Sequence, residues 1–382
     1  MSVSYIPQSV KMRLWGKAGG RCQYKGCNKA LWYDSLTKSE FNTAYIAHII
    51  ADKPDGPRGD RILSERLKKD ISNLMILCDE HHRMIDKINV KGHTIERLQK
   101  MKSLHEKRIE TLTAIQPDKR SHVILYGANI GKINSPLNIS NISEAMVNSY
   151  GHYPAEPHPI EISLKNSAIT DDNSLYWTIE DHNLENHFEK KVKPFLNDND
   201  VSKLSVFALA PQPLLIKLGY LLNDLNSVYT YQKHREPDSW SWQDDQKEID
   251  FQCRFNDIRN GKNIALIISL SANINSERVH PILGERCPIW EITHPNPNND
   301  FLKNRSELSR LRYLFRKTFN DIKTTHGEDA TIHVFPAMPV SASIDLGRVW
   351  MPKADLSLII YDQNKQNDSN KKPGFYKAIS IR

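Results

Sequence analysis

The apolar and polar positions divide the chain into two regions with different patterns. Up to about Ile115 the apolar residues come in short runs between polar, turn-forming stretches. Ser9 to Ala18 has helical spacing, GGRCQYKGCNK reads as turns, and TAYIAHII (43–50) reads as a strand. A loop holding Pro54, Gly56, Pro57 and Gly59 follows. SNLMILCDEHHRMIDK (72–87) reads as a short strand running into a helix, and 95–109 repeats apolar residues at helical intervals among many charges. QPDKRSH (116–122) reads as a linker. Beyond it strands and helices alternate. The strands are expected at 123–127, 204–210, 228–233, 264–270, 288–293, 332–337, 356–362 and 375–381, the helices at 184–193, 212–224, 303–323 and 340–350. Such alternation predicts an α/β fold with a substantially parallel sheet.

Part of that pattern repeats. VFALAPQPLLIKLG (206–219) aligns without a gap on VFPAMPVSASIDLG (334–347), with Val, Phe, Pro, Ile, Leu and Gly shared at six of fourteen positions. Both copies read as strand, turn and helix, which predicts two related α/β halves. Ligands of such sheets sit at the carboxyl ends of strands, so the Pro-containing ends at 210–213 and 338–341 are expected to face one crevice.

Length and composition narrow the class. A chain of 382 residues holds two or three domains, and 39% hydrophobic with 25% charged residues excludes a largely disordered protein. No apolar run approaches the ~18 residues of a membrane span, and the N-terminal stretch lacks the apolar core of a secretory signal. Five cysteines suit a reducing cytoplasm better than a disulfide framework. Cys253 and Cys287 are expected to be buried thiols without a role. The net charge of +7 is unevenly placed: residues 1–120 carry 23 Lys and Arg against 14 Asp and Glu, the remainder 29 against 31. A basic first third is expected to meet a polyanion, a solvated basic surface being the alternative.

The first ninety residues hold the strongest chemical signal. Cys22-x4-Cys27 lies in a turn and Cys78-x2-His81 opens a helix; together they offer a tetrahedral Cys3His site for structural Zn2+. A domain this short of continuous apolar sequence gains stability from such a staple. Between and beside these pairs stand His48, Asn73 and His82. This order, in AHIIADKPDGPRGD (47–60) and SNLMILCDEHHRMID (72–86), resembles the HNH endonucleases. The resemblance implies an α+β, zinc-stapled ββα-metal domain. It makes His48 the general base that deprotonates a water, Asn73 the organiser of the loop around that base, and His82 a ligand of one catalytic Mg2+ or Mn2+. Many HNH enzymes carry a metal ligand just before the base; Ala47 stands there, leaving the place to Asp52 or water. Arg58 is expected to contact DNA or simply to sit in a turn. Lys11, Arg13, Lys17, Arg21, Arg66, Lys68 and Lys69 would contact phosphates without reading sequence.

The duplicated part is similar to the SAVED domain, the sensor of bacterial antiphage systems that make cyclic oligonucleotides (CBASS). LSVFALAPQPLLIKLG (204–219), YQKHREPDSWSW (231–242) and HVFPAMPVSASIDLGRVWMPKADLSLIIYD (333–362) carry this likeness. It implies an HNH domain at 1–115, a linker at 116–122, and a sensor at 123–382 built of two Rossmann-like (CARF-like) halves, about 123–298 and 299–382. The expected function is a metal-dependent endonuclease that degrades double-stranded DNA once a cyclic dinucleotide or trinucleotide binds. The homo-oligomer is expected to be a dimer without ligand and a tetramer with it, off the membrane. Bases want aromatic faces and phosphates want cations and backbone amides, which singles out Arg235, Trp240, Trp242, Gln212, Leu214, Met338, Pro339, Ser341, Arg348 and Lys353. Core packing of both tryptophans, and a helix-end role for Arg348, are the plainer alternatives. Two other functions fit the chain: a constitutive restriction-type HNH nuclease with a DNA-reading C-terminal module, and a degenerate, zinc-stapled DNA-binding protein. A near-neutral C-terminal part favours a small-ligand sensor over a DNA reader.

Overall fold

The computed structural model describes residues 4–34, 36–131, 137, 141–164, 169–171, 173–196, 203–223, 227–243, 248–363 and 374–382. The chain forms two compact units, Met1–Gln116 and Pro117–Arg382.

The first unit contains α1 (Gln8–Ala18), β1 (Tyr45–His48), α2 (Leu63–Leu67), β2 (Leu74–Leu77), α3 (Asp79–Arg83) and α4 (Ile95–Thr113). β1 and β2 are antiparallel, with Tyr45 opposite Leu77 and His48 opposite Leu74. Every residue of β2 is buried, and with Leu14, Ala18, Leu31, Ile85, Leu98 and Met101 they make the core. α1 closes at Gly19 in the left-handed region, and Thr94 caps α4 through a bond from the Arg97 amide.

The second unit runs β3 (Arg120–Gly127), α5 (Ile142–Tyr150), β4 (Tyr153–Pro154), β5 (Ile160–Glu161), α6 (Ser174–His187), α7 (Lys193–Leu196), β6 (Lys203–Leu209), α8 (Gln212–Leu222), β7 (Ser227–Thr230) and β8 (Gln252–Phe255). It continues with β9 (Asn263–Ser269), α9 (His280–Leu283), β10 (Ile289–Thr293), α10 (Arg305–His326), β11 (Thr331–Ala337), α11 (Val340–Val349), β12 (Ser357–Gln363) and β13 (Phe375–Ile381). Two sheets result. One is parallel, in the order β4-β3-β6-β7 with β5 also beside β3. The other, β13-β12-β11-β9-β10-β8, is parallel at its centre and antiparallel at both edges. Among the described residues no helix is long and apolar enough to cross a membrane.

Two expected boundaries are corrected. The halves divide between Thr230 and Gln252, not near 298, because β9 pairs with β11 from Asn263–Thr331 to Ser269–Ala337 and takes β10 and β8 with it. The linker gives way to β3 at Arg120, where the buried Ser121 hydroxyl bonds that of Ser205 and so holds a polar segment in the sheet. Cys287 is buried as expected, but Cys253 is exposed.

The repeat is realised residue for residue. The offset that superposes Gly219 on Gly347 carries β6 onto β11, and α8 onto α11. These helices cross at the two glycines. A Cβ on Gly219 would stand 1.9 Å from the Ile344 carbonyl oxygen, and one on Gly347 would stand 1.9 Å from that of Ile216. Ile216 and Ile344 are themselves equivalent in the repeat, so the contact is reciprocal about a pseudo-two-fold axis. The obstacle is backbone, which does not step aside as a side chain does. Gly347→Ala is therefore expected to destabilise the second unit by ~1–3 kcal/mol or more. A denaturation midpoint equal to that of the unaltered chain would contradict this close crossing.

Burial also sets an acid limit. Desolvation pushes His152, His234 and His333 each down to about 4 and lifts Glu180 to about 7. Between the unfolded histidine value near 6.5 and pH 4 the unfolded state binds more protons at the three imidazoles, so acidification costs stability. Glu180 acts in the opposite sense between its unfolded value and about 7, as does the Asp181 carboxyl, also raised by burial. His326, lowered by burial, joins the imidazoles, so two groups stand against four. The melting temperature of the second unit should fall between pH 7 and pH 4.5; a rise would refute this balance.

Candidate functional site

Two local structures in the first unit bring four sulfur and nitrogen donors together. Before the knuckle the Cys22 amide bonds the Lys29 carbonyl at 2.9 Å. At its tip the Cys27 amide bonds Tyr24, and Gly26 and Asn28 turn the chain at positive φ. Cys78 stands at the N-cap of α3, one turn before His81. The Cys78 sulfur is 3.0 Å and the Cys22 sulfur 3.9 Å from His81 Nδ1, and all four donors, Cys27 included, lie within 4.8 Å of one another. No disulfide joins the cysteines, and burial pushes the Cys22 and Cys78 thiols up. Ligands on a tetrahedral zinc with Zn–S bonds near 2.3 Å are spaced roughly 3.5–3.8 Å apart, so this donor set and its spacing fit such an ion. The Tyr24 ring stacks on His81 at 4.1 Å, and its hydroxyl donates to Nε2 of the buried His93, whose Nδ1–H donates to the Asn89 carbonyl. Neither Tyr24 nor His93 has a spacing in the sequence that marks it as a support.

The second set lies on the same strands and helix. His48 ends β1, is 6% exposed, and lies 2.9 Å through Nε2 from the Lys68 carbonyl. A carbonyl only accepts, so the proton sits on Nε2 and the basic lone pair on Nδ1. Asn73, buried just before β2, accepts from the Ile50 amide and donates to the Ile50 carbonyl, both at 2.8 Å. It clamps the chain leaving His48. His82, on α3, stacks on Tyr45 of β1 and lies 3.4 Å from the Asp86 carboxylate; burial lowers its pKa. Asp86 is the residue that the sequence reading missed. Asp52, expected as a spare ligand, accepts from the Ser4 amide.

Arg58 is corrected. Its side chain is only 6% exposed and donates to the carbonyls of Ile49, Ile85 and His48 and to the Asp86 carboxylate at 2.6 Å. Held there at positive φ, it braces the loop from within, its Nε and both Nη atoms bonded inside the chain. Through Arg58 the backbone of His48 is linked to Asp86, and through Asp86 to the ring of His82.

In the second unit the two Pro-containing strand ends do meet: the Gln212 side chain accepts from the Met338 amide at 3.0 Å. The buried Gln232 accepts from the amide and hydroxyl of Ser341, closing the start of α11 with a residue the sequence reading passed over. Leu214, Trp240, Trp242, Met338, Pro339, Ser341 and Arg348 are buried. Trp240 packs edge-on against Phe207, and Arg348 bonds Asp345 and the Val228 carbonyl. Arg235 and Lys353 are exposed, and the Arg235 amide donates to Asp300, which also pairs with Lys303. Trp242, though buried, borders a hollow of about 830 Å3 at the carboxyl end of β7. Tyr150, Tyr229 and the N-terminal turns of α10 line it too, with Arg305 4.8 Å above the Tyr150 ring and Arg312 bonded to Asp345. Aromatic faces, two guanidinium groups and a helix N-terminus suit a ligand with bases and phosphates.

The family model for the "SMODS-associated and fused to various effectors sensor domain", SAVED, matches residues 184–381. That span holds all three strings that carried the resemblance. No curated protein matches the chain. A solved Acinetobacter baumannii Cap4 SAVED/CARF-domain containing receptor with the cyclic trinucleotide 3'3'3'-cAAA is similar at 12% identity and TM-score 0.42, over 75% of this chain and 60% of that one. The same receptor with 2'3'3'-cAAA gives 12%, 0.43, 76% and 66%. A Moraxella osloensis Cap4 receptor gives 11%, 0.38, 85% and 70%. The chain thus spans under two thirds of the length of the first two.

Proposed function

We propose, from the premise that this chain belongs to the SAVED sensor family, that it is an effector nuclease: a cyclic oligonucleotide bound by the second unit switches on DNA hydrolysis by the first. The observation that supports the nuclease half is the chain of contacts His48–Arg58–Asp86–His82 beside a Cys3His cluster.

In this reading Cys22, Cys27, Cys78 and His81 would hold Zn2+, and His82 with Asp86 would hold Mg2+ or Mn2+. When bound, the divalent ion supplies charge stabilisation at the phosphate and the leaving oxygen. The rest is done by the chain. His48 Nδ1 takes the proton of the attacking water, Lys68 fixes the ring through Nε2, Asn73 fixes the segment after it, and Arg58 holds the Asp86 carboxylate in place. The sensor half places the cyclic di- or trinucleotide in the hollow beneath Trp242, Tyr150 and Arg305. Plasmid degradation with Mg2+ or Mn2+, with and without a panel of cyclic di- and trinucleotides, tests the whole. Cleavage only with one nucleotide supports it, cleavage without any points to a constitutive nuclease, and none under any condition points to a DNA-binding protein.

Metal removal gives a separate test. Replacing Cys78 by Ser should release the zinc and unfold the first unit, because for so small a core binding and folding are one equilibrium. The second unit, with its own core, should still melt cooperatively. Purified protein without stoichiometric zinc would refute the staple.

A further inference from the structure

The cations named from the sequence as phosphate contacts are scattered, but α4 and the Cys22–Cys27 knuckle gather a different set. Lys25, Arg97, Lys100 and Arg108 surround a hollow of about 410 Å3, floored by Tyr24, Met101 and the half-exposed Leu104. Arg97, Lys100, Leu104 and Arg108 follow one another at helical intervals, so they form a single stripe along α4, ~16 Å long at 1.5 Å per residue. All four cations are exposed. Arg97 donates to the Gly92 carbonyl in the turn before α4, and Arg108 donates to the Asn28 side chain, which holds it against the knuckle. Among the described residues none of the four has a carboxylate within ion-pairing distance. Glu106, on another face of α4, is taken up by Lys17 and Lys102. The stripe is therefore an unneutralised row of positive charge with an apolar floor, in the part of the chain where the charge excess lies.

Resting on the nuclease reading, we infer that this face seats the sugar–phosphate backbone of duplex DNA. A duplex presents one negative charge per ~1.7 Å of axis, so a stripe of this length meets several phosphates. The apolar edges of deoxyribose between them match Met101 and Leu104, whereas an acidic peptide has no such regular spacing. Tyr24 connects the stripe to the site: it lines the hollow and stacks on His81, the neighbour of His82. Contacts of this kind position the duplex and read no sequence.

The test is binding, not cleavage. The full chain is titrated against a fluorescein-labelled duplex without divalent ions, at several salt concentrations, by anisotropy. Replacing Arg97, Lys100 and Arg108 together by Ala should weaken binding at least ~10-fold and lower the salt slope by roughly 0.9 per lost contact. Replacing Arg97 and Arg108 by Lys should keep most of both, which separates loss of charge from loss of fold. Lys317→Glu, an exposed charge reversal on α10, should change neither. Unchanged affinity and slope in the triple variant, or displacement of the duplex by polyglutamate at equal charge, would overturn the inference. Since the readout does not need cleavage, a protein that binds through this face but never cuts would fail the nuclease reading alone.

Discussion

Replacing His48 by Gln is expected to lower ligand-activated DNA cleavage by ~10²–10⁴-fold, the range for removing a positioned general base. The choice of Gln matters. His48 is buried and meets the Lys68 carbonyl, so alanine would leave that acceptor without its donor, a loss of ~1–3 kcal/mol unrelated to catalysis. The Gln amide can still donate to Lys68, but it has no basic nitrogen to take the place of Nδ1. Zinc content, melting of both units, and duplex binding should therefore remain close to those of the unaltered chain. His48 is not among the four clustered sulfur and nitrogen donors, and Asn73 holds the following residues independently. Asp86→Asn should give a smaller defect with a metal signature: it keeps a carbonyl for Arg58 but weakens the pairing with a cation at His82. Near-normal cleavage by His48→Gln, with activation intact, would remove His48 from the reaction.

Much of this site can be read in the sequence because its residues are local or evenly spaced. Cys22 with Cys27 and Cys78 with His81 are each separated by one turn, and His82 follows by adjacency. Arg58 and Asp86 are different. Both sit in stretches that look like an exposed turn and the end of a helix, and only the pairing of β1 with β2 brings them together inside. The second unit shows the same contrast. Eight strands, the repeat and its two glycines were visible, because burial of a parallel strand leaves an apolar run, whereas the two-residue β4 and β5 and the partly exposed β8 were not. The assignment of β8, β9 and β10 to the second sheet depends on pairing across some seventy residues, which no local pattern encodes. The tryptophans mislead for a related reason. A ring suited to stacking on a base is equally suited to filling a core, and Trp240 fills one beside Phe207, while Trp242, two residues on, reaches the hollow.

The largest expected effect is the switch itself. A nuclease that cuts any duplex must stay silent until its ligand arrives, and moving a population from 1:99 to 99:1 takes about 5.5 kcal/mol of differential affinity. The hollow offers a ligand two arginines and three aromatic faces, and the same contacts made equally in both states would shift nothing. The ligand has to make contacts in one state that are missing in the other. Association of chains supplies them most simply, since a stable interface of ~1,200–2,000 Å2 forms only when both partners present it. It also answers the chemistry, because one site with one metal breaks one strand and a double-strand break needs a second site on the opposite strand. We therefore expect a ligand-free dimer without cleavage, and a tetramer that degrades plasmid once the activating cyclic nucleotide is present. Arg305→Ala should shift both transitions to higher ligand concentration together, because mass and activity then report the same equilibrium. Light scattering alongside the plasmid assay decides the matter: full activation at unchanged mass would place the switch within a single assembly, where the ligand frees a blocked site without recruiting a second pair of chains.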